Sequence, residues 1–176
     1  EVGHRLLERQ ALRRRRRGNV HSPADKARHE ATQERPLQGE DMRKFARTLT
    51  LAFSAGALGG LVNGLCVWLA VKYGLTAALG VSLAAPLTPA WIYPRIVWGG
   101  IWGLLFVVPL WERNPFLRGL FFSIGPTLVM LFVIFPLRLG KGMMGLDLGT
   151  WTPAFVIFFN AVWGWTAALW MRWTNR

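Results

Sequence analysis

Beyond Asp41 the chain has no histidine, a single cysteine (Cys66) and only two acidic residues, Glu112 and Asp147. Each scarcity removes a chemistry. With one cysteine in the whole sequence there is no intrachain disulfide and no cysteine-built metal cluster. The histidines, His4, His21 and His29, all precede Asp41, so haem or chlorophyll held by histidines in an apolar segment is excluded. General acid–base and nucleophilic catalysis draw on clustered acids, histidines or cysteines, and metal centres draw on the same groups. Two acids far apart in the chain form no such cluster. No catalytic residue, metal site or cofactor is therefore expected, and the chain reads as a non-enzyme.

What is present is apolar. Of the 176 residues 52% are hydrophobic and 17% charged, and the two kinds are segregated. Residues 1–41 hold ten Lys/Arg and seven Asp/Glu, a net charge of +3, and no tryptophan. Residues 42–176 hold eleven Lys/Arg against two acids, net +9, together with all ten tryptophans. The boundary predicts a polar tail over 1–41, disordered apart from at most a short helix near Leu6 to Arg17, and an apolar domain over 42–176. Met42, followed by Arg43, Lys44 and Arg47 and then by an uncharged stretch from Thr48 to Val71, reads as the start of a bacterial membrane protein. The expectation is that it is the native start.

A helix needs about 20 apolar residues to cross the roughly 30 Å of bilayer hydrocarbon. Four stretches meet or approach this: Thr48–Val71, Trp91–Trp111, Pro115–Leu137 and Thr152–Met171. The first is not read as a cleaved signal, because its apolar run continues far past the small residues of "FSAGALGG". Between the first and second lies "GLTAALGVSLAAPLTP", Gly74 to Pro89, apolar but closed by Pro86 and Pro89. Proline removes a backbone donor and stops helices, which predicts a half-length helix that dips into the membrane or lies at its interface. The expected fold is thus an all-α bundle of four transmembrane helices plus this Pro-ended half-helix.

The formal charge of +12 in a soluble protein would suggest nucleic acid. Here the cations sit at the ends of apolar segments without accompanying acids, the pattern that membrane orientation selects. With both termini cytoplasmic, the inner flanks carry Arg43, Lys44, Arg47, Arg113, Arg118, Arg172 and Arg176, against Lys72, Arg95, Arg138 and Lys141 outside. A nucleic-acid partner is accordingly disfavoured and a bacterial cytoplasmic (inner) membrane expected. The run "LRRRRRGN", Leu12 to Asn19, can still touch RNA or anionic lipid, the latter worth roughly 1 kcal/mol per arginine at a membrane surface. Trp91, Trp111, Trp151, Trp170 and Trp173 fall at predicted span ends, where indoles act as interfacial anchors.

Within the spans three constellations stand out. Gly56, Gly60 and Gly64 recur at four-residue spacing in the first span, as do Gly99 and Gly103 in the second. In lipid, where no hydrophobic force drives helices together, such small-residue ridges permit close backbone packing, either within the chain or onto a partner. Polar residues near mid-depth are Asn63, Ser123, Thr127 and Asn160. They serve as interhelical hydrogen bonders, Ser123 or Thr127 also answering carbonyls freed by Pro126, or else as a midplane polar site for a solute. In "WIYPRIVWGGIW", Arg95 and Trp98 lie on one helix face with Trp91, a candidate lipid-headgroup contact or a snorkelling arginine. The loop "RLGKGMMGLDLGTW", Arg138 to Trp151, lacks the fixed pattern of a phosphate loop.

The stretch from about Trp91 to Trp173, with "FPLRLGKGMMGLDLG" joining the last two spans and the Trp-rich "FFNAVWGWTAALWMRW" closing it, resembles small four-span bacterial inner-membrane proteins of the YagU-like kind. The resemblance implies the four-span layout and carries over no catalytic residues. Two functions remain open: an accessory or scaffold subunit, alone with membrane lipids, with a membrane-protein partner or as a homo-oligomer; or a small solute or lipid transporter using the Asn63, Thr127 and Asn160 belt.

Overall fold

The computed structural model describes residues 23–174. The expected helix near Leu6 to Arg17, the five-arginine run and Arg176 lie outside the described residues. The chain divides into two compact units between Phe45 and Ala46, and each is taken by itself. Among the described residues the structure is all-helical, without strands. Four helices are long and apolar enough to cross a membrane: Gly39–Lys72, Pro89–Val107, Pro115–Arg138 and Thr152–Thr174.

Helix α1, Pro23–Lys72, starts well before Met42, whereas the sequence reading expects no regular structure there. That expectation rested on the missing apolar face; Ala, Glu, Lys, Gln and Arg nonetheless favour helix intrinsically, and Pro23 suits a first helical position. In the first unit Lys44 pairs with Asp41 at 3.8 Å, an exposed contact of small energetic weight. Gly74, at φ 71 in the left-handed region, follows the end of α1.

The expected half-helix is not formed. Helix α2, Leu75–Ala78, is a single turn, closed where Gly80 takes φ 69. Residues 81–88 are non-helical. The sequence reading weighed Pro86 and Pro89 but not Gly80, whose left-handed conformation ends the ladder six residues earlier, and prolines then hold the residues before them extended, Thr88 at φ −111, ψ 156. Val81 and Ala85 are buried against Phe155 and Phe159, and the Ser82 N–H donates to the Leu148 carbonyl at 2.7 Å.

Helix α3, Pro89–Gly103, tightens into a 3-10 turn at Leu104–Val107 and stops at Val108, short of the expected Trp111. Pro109 disfavours the helical region for Val108, which sits at φ −70, ψ 122. A turn with Trp111 at φ 48 leads into helix α4, Pro115–Val129, whose N-cap Asn114 accepts from the Leu117 N–H at 3.1 Å. A π-helical segment, Met130–Arg138, continues α4, with Pro136 inside it. A 3-10 segment at Met143–Leu148 precedes helix α5, Thr152–Thr174.

Successive contacts define the packing in the second unit. Gly56 meets Gly99 and Gly103, Gly60 meets Arg95 and Gly99, and Gly64 meets Ile92 and Arg95, so α1 and α3 run antiparallel. Gly119 meets Gly164 while Thr127 meets Asn160, so α4 and α5 are antiparallel too. Helix α5 is the central element: 50% of its most apolar stretch is buried, against 22% for α3. Its Trp163, Ala167, Ala168 and Met171 pack with Ala52, Ala55, Phe106 and Phe122 into one core.

Candidate functional site

The five glycines singled out by spacing form one contact within the chain. A methyl group on Gly56 would strike the Gly99 carbonyl oxygen and approach the Gly103 Cα to 2.5 Å; one on Gly103 would lie 2.5 Å from the Ala52 oxygen. Gly60 faces the Arg95 carbonyl, and Gly64 the side chains of Ile92 and Arg95. Only the missing side chains let these backbones touch. The ridge is therefore occupied by the chain's own α3.

The mid-depth polar residues divide between the two sides of α5. Asn63 Nδ2 donates to the Phe159 carbonyl at 2.7 Å, tying α1 to α5. The next residue, Asn160, donates through Nδ2 to Thr127 Oγ1 at 3.1 Å, tying α5 to α4. Thr127 Oγ1 itself donates to the Ser123 carbonyl at 2.7 Å, and Ser123 Oγ to the Leu120 carbonyl at 2.7 Å. Neither hydroxyl reaches the Phe122 carbonyl, the one that Pro126 deprives of its helical donor. Ser123, Thr127 and Asn160 are thus brought together, and Asn63 stands apart across α5.

Arg95 and Trp98 are not brought together as a pair. The Arg95 guanidinium stacks on Trp91, 3.6 Å from the ring centroid, and its Nη1 donates to the Trp91 carbonyl at 2.9 Å. Trp98 is 56% exposed. Of the expected anchors, Trp111, Trp151 and Trp173 are exposed, Trp170 packs edge-on to Trp173 at 5.5 Å, and Trp91 is taken up by Arg95.

Sequence reasoning missed three features. Trp163 is buried, and its Nε1–H donates to the Gly56 carbonyl at 3.0 Å, so it joins α5 to the glycine ridge. Gly119 and Gly164 form a second glycine contact, signalled by small residues at four-residue spacing in both helices: Gly119, Ser123 and Thr127; Gly164 and Ala168. Arg118, counted by sequence among the inner flanks, is 6% exposed. Its Nη2 donates to the carbonyls of Phe106 at 2.7 Å, in the last turn of the helix ending at Val107, and of Val108 at 3.1 Å, which also accepts the Leu110 N–H. The guanidinium lies 5.4 Å from the Phe106 ring centroid.

Among the described residues no three His, Cys, Asp or Glu side chains are grouped as metal ligands would be. No protein family, curated protein or solved structure matches the chain.

Proposed function

We propose that the chain is a multi-pass membrane protein of the bacterial inner membrane, with four spans and both ends cytoplasmic, acting as an accessory or scaffold subunit without chemistry of its own. The membrane assignment is supported by the four apolar helices and by the large side chains they leave exposed, among them Phe53, Leu69, Ile101, Phe121, Ile124, Phe132, Ile157 and Leu169. Such a surface suits lipid or a membrane partner and would be a liability in water. The layout is also the one that the likeness to YagU-like proteins implies.

The observation that carries the accessory reading is the use of the polar belt: both asparagines spend an amide N–H on a neighbouring helix. Interhelical bonds of this kind stabilise packing. Losing one such bond costs about 0.6 kcal/mol, so Asn160→Leu is expected to lower stability only slightly and to keep its partner, and native mass spectrometry of the tagged chain from its own membranes yields a stoichiometric companion. A lone chain whose loss abolishes uptake or release of a solute, with Asn160→Leu equally inactive though folded, would replace this reading by transport. One observation favours that second reading. The π-helical segment begins three residues after Thr127, and π-helical turns inside α-helices occur frequently at functional sites.

A further inference from the structure

The buried arginine is the group that neither the packing nor the proposed function accounts for. Arg118 lies in the second turn of α4, 6% exposed, and no carboxylate lies within ion-pair distance of it among the described residues. A guanidinium has five N–H donors and no acceptor. Nη2 is engaged by the Phe106 and Val108 carbonyls; Nε is buried without a partner, and Nη1 makes no hydrogen bond. A second orphan donor borders the same core: Trp170 Nε1 is buried without an acceptor, and Trp170 packs on the cluster containing Phe106, over whose ring Arg118 lies. Carbonyl bonds satisfy donors but do not neutralise the cation, and a buried charge is tolerated when it is paired.

The surroundings carry both signs. Arg113 and Arg172 are exposed at this end of the second unit, linked by a bond from Arg172 Nη1 to the Arg113 carbonyl at 3.2 Å, and Glu112, the one acid on the connecting turn, acts on Arg118 electrostatically. A buried Nε–H without an acceptor, on a cation whose one nearby acid, Glu112, makes no ion pair with it, suits an oxyanion with several acceptor oxygens. Guanidinium–phosphate pairing meets that requirement.

We propose that Arg118, with Arg113 and Arg172, binds the phosphodiester headgroup of an anionic phospholipid at the α3–α4 turn. The lipid as source rests on the membrane reading above, since that turn joins two spans and lies at headgroup level. This site is separate from Arg95, whose cation already has the Trp91 ring and carbonyl.

The test uses the full chain, delipidated in mild detergent and returned to nanodiscs of phosphatidylcholine with graded phosphatidylglycerol. Bound lipid is counted by native mass spectrometry. The wild type is expected to retain one phosphatidylglycerol in preference to phosphatidylcholine, and Arg118→Gln to weaken retention about tenfold, the loss of one charge-assisted contact. Because Arg118 also holds the Phe106 and Val108 carbonyls, the exposed pair Arg113→Gln/Arg172→Gln is the second variant. It should lower retention severalfold while circular dichroism stays unchanged. Millimolar inorganic phosphate separates the sources: failure to displace the lipid supports a lipid site, whereas binding of phosphate with no lipid preference overturns the lipid assignment. Equal retention of both lipids, or a double variant indistinguishable from wild type, overturns the proposal. Release of the chain from native membranes by alkaline carbonate would instead overturn the membrane reading.

Discussion

Replacing Gly60 by alanine is the sharpest test of the α1–α3 contact. The added methyl would strike the Arg95 carbonyl oxygen and lie 2.9 Å from its carbon and 3.3 Å from the Ile96 Cα, all of them backbone atoms. No rotamer change relieves such a clash. Restoring ordinary contact at about 3.4 Å requires the helices to part locally by about 1 Å, a gap that forfeits a quarter to a half of each neighbouring dispersion contact. Overpacking of this kind costs about 1–3 kcal/mol, and the better helix propensity of alanine returns up to about 1 kcal/mol. The net expectation is a loss of about 1–2 kcal/mol, read as the unfolding free energy in a detergent titration with SDS. Gly39→Ala is the control: nothing lies within 4 Å of the position where its methyl would stand, so only the propensity gain remains. The two substitutions should therefore move stability in opposite directions. A Gly60→Ala protein as stable as wild type would refute the close approach of the two helices.

Trp163→Phe keeps most of the buried ring but deletes the donor to the Gly56 carbonyl, and should cost about 1 kcal/mol in the same titration. Gly149→Ala places a methyl against the Gly80 carbonyl at a residue with φ 140. The expected loss of about 1–3 kcal/mol should appear as faster hydrogen exchange at the Ser82 N–H, which is bonded to Leu148. In a Cys66→Ser background, Glu112→Cys should react with an impermeant maleimide only from the cytoplasmic side and Lys141→Cys only from the outside. Labelling of both from one side would remove the four-span topology.

How much of this could be read from the sequence follows from what each signal depends on. The ridges at Gly56, Gly60 and Gly64 and at Gly99 and Gly103 were legible because their four-residue spacing is a property of one helix. Their mutual pairing was not, since it depends on how two helices meet. The asparagines were legible as polar exceptions in apolar segments, but the choice of Phe159 and Thr127 as acceptors comes from α5 lying between α1 and α4. The burial of Arg118 was not legible for a similar reason. A basic residue three positions after Pro115 reads as a flank, and its burial arises only because the chain before α4 brings the Phe106 and Val108 carbonyls to it.

The central place of α5 was the least legible feature, and the cause is general. Hydrophobic periodicity separates a core face from a wet one; when every face is apolar, that contrast vanishes. What remains is a contrast of volume and polarity. On α5 the buried positions include Ala161, Gly164, Ala167 and Ala168 along with Phe155, Phe159 and Trp163, whereas Ile157, Phe158 and Leu169 point outward. Small residues let α1 and α4 approach it closely, large aromatics fill the spaces left between, and Asn160 and Trp165 supply lateral bonds to α4, at Thr127 Oγ1 and the Phe116 carbonyl. A helix that alternates small and aromatic residues on several faces is built for neighbours on several sides, and that pattern, rather than hydropathy, marks the centre of such a bundle.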